Sequence, residues 1–306
     1  MQVVAKVKEL QALADCERAA GRRIALVPTM GALHAGHISL IEEARKYADV
    51  VWVSIFVNPT QFNDPKDYNA YPDTLEDDSG KCEAAGVDAI FVPTPGELYP
   101  EGAQTWVEVT ELARPLCGAA RPGHFNGVTS VVSKLFLAAK PHVAVFGEKD
   151  FQQLAVIRRM TRDLCFDVDI VGAATAREPD GLAMSSRNVH LDAEARRQAR
   201  ALVGALDAAE QAVGEGVVDT SQLLAVVKEE LTKAPRASID YAEIRNPETL
   251  ELAPAHLEGP ALLALALYFE PASDRPDSPR VRLIDNRVLT PGGADSADSV
   301  TRRSQS

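Results

Sequence analysis

Apolar runs rich in Val, Ile and Phe recur at residues 24–27, 50–57, 89–92, 143–146 and 168–171. Between them lie stretches whose apolar residues fall three and four apart, which predicts helices over residues 37–47, 74–85, 126–139 and 151–164. Short β-branched runs alternating with such helices predict parallel strands with helical crossovers, and so a sheet covered on both faces. The run Val50-Val-Trp-Val-Ser-Ile-Phe-Val57 is almost continuously apolar, as a central strand must be. Residues 1–176 are expected to form a doubly wound, Rossmann-like α/β domain.

The texture changes after Thr175-Ala-Arg-Glu-Pro-Asp-Gly181. Ala-rich amphipathic helices over residues 192–213 and 221–233, followed by strands near 239–244 and 261–269, predict a smaller α+β domain over residues 177–290. Residues 291–306 offer Val300 as their one large apolar side chain, so this segment is expected to be a disordered tail.

Composition narrows the partners. The chain has 306 residues, 46% of them hydrophobic and 25% charged, which is ordinary for a folded globular protein. A formal net charge of -12 argues against nucleic acid, whose binding needs clustered Lys and Arg, and any anionic substrate must meet a local positive site. No stretch approaches the ~18 apolar residues that cross a bilayer, and Lys6, Lys8 and Glu9 interrupt any secretory pattern at the start. The expectation is a cytoplasmic protein without a membrane partner. Cys16, Cys82, Cys117 and Cys165 form no CxxC pair, which removes the usual zinc and dithiol spacings.

The segment Pro28-Thr-Met-Gly-Ala-Leu-His-Ala-Gly-His37 carries the most chemical information, because it lies between the first apolar strand and a helical pattern. Strand, glycine loop and helix form a phosphate-binding layout, with Gly31 and Gly36 letting the backbone turn and the helix N-terminus offering N–H groups. Lys and Ser/Thr of a Walker loop are replaced by His37 and Ile38, and the GxGxxG of dinucleotide sites is absent. His34 and His37, three residues apart, can both point into one site and donate to triphosphate oxygens. Read alone, two histidines near a loop are also compatible with capping residues, and two imidazoles do not complete a zinc site.

Three further segments supply what a nucleotide site lacks. Gly147-Glu148-Lys149-Asp150 follows a predicted strand, which places Lys149 where ligands bind in open α/β folds; Asp150 could serve magnesium indirectly or simply cap a helix. Met184-Ser185-Ser186-Arg187-Asn188 lies past the domain junction and suits a mobile flap that brings hydroxyls and a guanidinium onto phosphate, or a polar interdomain turn. Phe56-Val-Asn-Pro-Thr-Gln-Phe62 ends the second strand, and its amides Asn58 and Gln61 suit a substrate with hydroxyl and carboxylate groups. Gln152 and Gln153 add amides after Asp150.

In this order the four segments resemble those of the pantothenate synthetases (pantoate–β-alanine ligases), within the nucleotidyltransferase superfamily that shares HxGH. The resemblance covers residues 21–188 and continues through Tyr-Ala-Glu-Ile-Arg at 241–245. It implies a ligase that forms a C–N bond, joining pantoate to β-alanine through a pantoyl adenylate, with ATP consumed to AMP and pyrophosphate and with Mg2+. Carried across, it implies that Met30, Gly31, Ala32, Leu33, His34, Ala35, Gly36 and His37 line the ATP site, with His37 as proton donor and His34 as its companion on phosphate. Gly147, Glu148, Lys149 and Asp150, the backbone near Ala176, and the flap Met184, Ser185, Ser186 and Arg187 complete that site. Gln61 and Gln153, with Asn58 beside them, would hold pantoate and β-alanine; Asp77 and Asp78 would lie near the metal, though a plain helix face accounts for them as well. The family is usually a homodimer, and a homodimer is the expectation here.

The residues fit that chemistry, since activating a carboxylate at the α-phosphorus mainly needs positioning and positive charge, which His34, His37, Lys149 and Arg187 can supply. No side chain stands out as general base for the amine. Two other readings compete: an adenylyltransferase acting on a phosphorylated acceptor through the same HxGH loop, and a non-catalytic nucleotide-binding protein.

Overall fold

The computed structural model describes residues 1–271 and 280–292. The tail expected over residues 291–306 therefore lies, beyond residue 292, outside the described residues. The chain divides into two compact units, Met1–Ala176 and Arg177–Ser306.

The first unit is built on six parallel strands: β1 (Gln2–Val4), β2 (Ile24–Thr29), β3 (Val50–Ile55), β4 (Ala89–Phe91), β5 (Val143–Gly147) and β6 (Asp169–Ala173). Their order is β1-β4-β3-β2-β5-β6. From β2 the chain steps outward through β3 to β4 in one direction, while β5 and β6 step outward in the other. The order thus reverses between β2 and β5, and the crevice beyond the carboxyl ends of two such strands is where open α/β sheets bind ligands.

Hydrophobicity explains the layering. All six residues of β3 are buried, as are the first four of β2, because helices cover both faces of these central strands. Ala25, Val27, Val51, Val53, Ile90 and Val143 form a core cluster into which the helix Ala35–Ala44 sends Ile41 and Ala44. Each fully buried Val, Leu or Ile contributes roughly 1.5–3 kcal/mol. The helix His124–Ala139 is buried along nearly its whole length, and the helix Phe151–Asp163 buries Leu154, Ile157 and Met160 on one stripe.

The second unit carries an antiparallel sheet of β7 (Ala237–Arg245), β8 (Ala261–Phe269) and β9 (Val281–Leu289), in that order. Central β8, Ala-Leu-Leu-Ala-Leu-Ala-Leu-Tyr-Phe, is buried at every position but Tyr268. The helix Ala201–Gly214 packs here with Leu202, Ala205, Leu206, Ala209 and Val213, and the helix Thr220–Leu231 with Leu223 and Val227. The helix expected over residues 192–213 is two helices, Ala193–Gln198 and Ala201–Gly214.

Two strands escaped the sequence reading. β1 has three residues, and only Val4 is buried, so it leaves almost no periodic signal. In β9 the inward positions run Val281, Leu283 and then Asp285, whose charge breaks the apolar alternation. Asp285 is tolerated there because Arg177 meets it with both terminal nitrogens, at 2.7 and 3.0 Å.

Candidate active site

The loop after β2 is shaped by one buried carboxylate. Gly31 and Ala32 both adopt positive φ, 87° and 52°, a conformation that the β-carbon of Ala32 makes strained. Asp78, fully buried on the helix Leu75–Ala84, holds them: its Oδ2 accepts the Ala32 N–H at 2.8 Å and the Thr74 hydroxyl at 2.9 Å, and its Oδ1 accepts the Leu33 N–H at 2.7 Å. A β-carbon on Gly31 would lie 3.0 Å from Asp78 Oδ2, so a glycine is needed at this close approach. Lys81 braces the other side by donating to the Leu33 carbonyl at 2.7 Å and pairing with Asp77 at 2.5 Å.

Of the two carboxylates expected near the metal, Asp78 spends both oxygens on the loop, and exposed Asp77 pairs with Lys81. Among the described residues no group of three or more His, Cys, Asp or Glu is placed to hold a metal ion.

The two motif histidines cap the following helix and, in doing so, fix their own tautomers. His34 is the N-cap of Ala35–Ala44; its Nδ1 accepts the Gly36 N–H at 3.1 Å, while Nδ1 of His37 accepts the His34 N–H at 3.3 Å. This is a capping box made of imidazoles. A ring nitrogen that accepts a backbone N–H carries no proton, so in each neutral ring the proton sits on Nε2. The rings lie 4.2 Å apart between centroids. Burial, then the neighbouring His34 and Lys149, lowers the pKa of His37 from 6.5 to about 3. Against the protein groups alone, His37 is thus held neutral at pH 7.

The backbone of the loop also differs from expectation. The N–H groups of Gly31, Ala32, Leu33, His34, Gly36 and His37 all have protein acceptors. The helix N-terminus therefore has few N–H groups left for a phosphate. Lys149 lies close enough for its charge, like that of Asp150, to act on His37. Gly147 ends β5, and Glu148, Lys149 and Asp150 form a single 3₁₀ turn leading into the helix Phe151–Asp163.

At the end of β3, Pro59–Gln61 form another 3₁₀ turn capped by Asn58. Asn58, expected beside the substrate amides, is 1% exposed, and its amide donates to the Gly127 carbonyl at 3.1 Å and to Gln61 Oε1 at 3.0 Å. Gln61 is half-buried and directs Nε2 at Met30 Sδ, 3.1 Å away, which joins the amide segment to the HxGH loop. The carbonyl of Gln61 is held by His124 Nδ1 at 2.8 Å and by Arg121 at 3.0 Å. Gly127 lets the helix come this close: a β-carbon there would lie 2.5 Å from the Thr60 carbonyl oxygen and 2.8 Å from the Gln61 nitrogen. These supporting residues went unnoticed in the sequence; Gly127 inside a helical pattern was the one available hint.

The adjacent glutamines separate by role. Gln152 is buried and clasps the 112–117 loop, accepting from Cys117 N at 3.0 Å and donating to the Leu112 and Pro115 carbonyls at 2.9 and 2.7 Å. Gln153 is half-buried, and its amide makes no hydrogen bond to any of the described residues. Ala176 is half-buried at the end of the first unit. In the second unit Met184, Ser185 and Ser186 are half-buried and Arg187 is exposed. Asn188 anchors that segment by donating to Glu178 at 2.6 Å and to the Ala183 carbonyl at 3.1 Å.

A six-stranded parallel sheet with HxGH after one switch-point strand and a lysine turn after the other defines a Rossmann-like protein of the HxGH class. The chain matches the model of the pantoate-beta-alanine ligase family over residues 2–288, and it belongs to that family. It is 50% identical to the pantothenate synthetase of Geobacter sulfurreducens over 289 residues, covering 94% of this chain and 99% of the relative. With that of Myxococcus xanthus it shares 49% over 302 residues, 98% of each chain. The crystal structure of pantothenate synthetase from Thermus thermophilus is similar with a TM-score of 0.87 at 44% identity, covering 95% of this chain and all of the other. Pantoate-beta-alanine ligase from Francisella tularensis, complexed with beta-gamma ATP and beta-alanine, is similar with a TM-score of 0.74 at 35% identity, covering 94% and 97%.

Proposed function

We propose that this protein condenses pantoate with β-alanine at the expense of ATP. The observation that carries the proposal is that the HxGH loop follows β2, one of the two strands at the switch point, with the amide of Gln61, from the end of the neighbouring strand β3, turned onto Met30 of that same loop. The histidines of that loop suit a triphosphate whose α-phosphorus is attacked by a carboxylate oxygen; the bond to pyrophosphate breaks and an acyl adenylate forms. The β-alanine amine then attacks the acyl carbon and AMP leaves. Lys149 adds positive charge at the phosphates, Gln61 and Gln153 hold the acid, and the backbone near Ala176 contributes to the nucleotide site. Family membership favours this reading over transfer of AMP to a phosphorylated acceptor.

Magnesium enters with ATP in this reading. A nucleotide-borne Mg2+ draws most of its ligands from phosphate oxygens and water, so a protein cage is not required, and exposed Asp150 at the end of β5 is the carboxylate suited to meet its hydration shell. Among the described residues no helix is long and apolar enough to cross a membrane. All four cysteines are free, which suits the reducing cytoplasm, the location we propose. A homodimer is proposed from the resemblance, and sedimentation velocity decides it.

The test of the chemistry is an isotope transfer. Pantoate labelled with 18O in its carboxylate should deliver one label to AMP during turnover. AMP without label would exclude attack at the α-phosphorus.

A further inference from the structure

The amide of Gln61 can face only one way. Behind it, Asn58 Oδ1 accepts from Thr60 N at 3.4 Å, Thr60 Oγ1 at 2.9 Å and Tyr99 Oη at 3.0 Å, while Nδ2 donates to the carbonyl of Gly127 and to Gln61 Oε1. A backbone carbonyl cannot donate and a backbone N–H cannot accept, so turning Asn58 over would set acceptor against acceptor and donor against donor. The oxygen of Gln61 is thereby committed to Asn58. Its nitrogen faces away, and its protein partner there is the sulfur of Met30, a weak acceptor that a substrate oxygen readily replaces.

Tyr99 is held firmly enough to matter. It closes the short helix Pro95–Leu98, its ring stacks on Trp106 with centroids 6.1 Å apart, and Lys134 Nζ lies 4.8 Å above it while donating to the Leu98 carbonyl at 2.6 Å. The hydroxyl also lies 3.2 Å from that of Thr60, so one phenol ties together the group that orients Asn58 and the turn that carries Gln61.

We infer that Tyr99 is a positioning residue for the acid substrate, acting through Asn58 to make Gln61 a one-way donor toward an acceptor oxygen of that acid. The inference rests on the reading of Gln61 as an acid contact. It specifies the substrate atom opposite Gln61 as an oxygen with a free lone pair, a carboxylate or hydroxyl oxygen rather than an N–H.

A mutant cycle on the intact enzyme tests it, measuring kcat and KM for pantoate, ATP and β-alanine in wild type, Tyr99→Phe, Gln61→Ala and the double variant. Loss of one neutral hydrogen bond should raise the pantoate KM about three- to tenfold in Tyr99→Phe, leaving the ATP KM within about twofold of wild type. In the Gln61→Ala background the same substitution should change nothing further. Equal effects in both backgrounds, or an unchanged pantoate KM in Tyr99→Phe, would overturn the positioning role. An unchanged pantoate KM in Gln61→Ala itself would instead remove the underlying reading of Gln61. Gln61→Glu tests the polarity without touching Tyr99: a carboxylate facing an acceptor oxygen should raise the pantoate KM more than Gln61→Ala does, and wild-type binding by Gln61→Glu would overturn the one-way donor.

Discussion

Asp78 Oδ1 accepts the backbone N–H of Leu33 at 2.7 Å, so a buried side chain some distance along the sequence sets the shape of the HxGH loop. Replacing Asp78 with Ala leaves the N–H groups of Ala32 and Leu33 without this acceptor inside the protein and two positive-φ residues without their clasp. The expected loss is about 2–4 kcal/mol of stability, read from urea unfolding, together with a raised KM for ATP. Asp78→Asn keeps the volume but only one acceptor atom, and should fall between wild type and Asp78→Ala.

His37 gives a signed pH dependence. Its folded pKa, about 3, lies below the ordinary 6.5, so between these values the unfolded chain binds a proton that the folded chain does not. Stability from this group is complete above pH 6.5 and declines by about 1.4 kcal/mol per pH unit as the pH falls toward 3. Urea titrations of wild type and His37→Gln should show the wild-type advantage shrinking over that window. Nitrogen NMR of the free enzyme should find His37 neutral at pH 5.5 and protonated on Nε2; an imidazolium signal there would contradict the assignment.

Much of this site was readable from residue types alone, and the reason is local. HxGH, GEKD and FVNPTQF each sit at a strand end, so the alternation of strands and helices was enough to bring them to one sheet edge. How deeply each member of a motif is buried was not readable: Asn58 and Gln61 look alike in sequence, yet the first is buried and bonded to Gly127 and Gln61 while the second is half-buried. Likewise Asp77 and Asp78 are neighbours on one helix, and the helical turn alone decides that Asp78 faces the loop and Asp77 faces Lys81. Tyr99 gave no signal, since its partner Asn58 lies 41 residues away in sequence.

Gly127 brings the helix His124–Ala139 against the backbone of the Pro59–Gln61 turn. A methyl group there meets backbone atoms of Thr60 and Gln61 that have no rotamer to escape into. Gly127→Ala should destabilise the protein by about 1–3 kcal/mol and raise the pantoate KM more than the ATP KM. Equal changes in both would mean that the displacement reaches the HxGH loop as well.

In the second unit Asp285 is fully buried and held bidentately by Arg177. Removing one partner of such a pair strands the other, so Asp285→Ala should cost about 3 kcal/mol in unfolding free energy. Restoring a neutral pair with Arg177→Met in the same chain should recover part of that loss, and thermal unfolding of the single and double variants measures both.

The most direct measurement follows pyrophosphate and AMP from ATP and Mg2+, first with pantoate alone and then with β-alanine added, in wild type and His37→Ala. The expected result is pantoate-dependent pyrophosphate on mixing, conversion to pantothenate and AMP only when β-alanine is present, and a fall of at least about 100-fold in the first step for His37→Ala, the usual effect of removing a transition-state donor. A folded, ATP-binding protein that releases no pyrophosphate with pantoate, or whose His37→Ala variant keeps the wild-type rate, would contradict it.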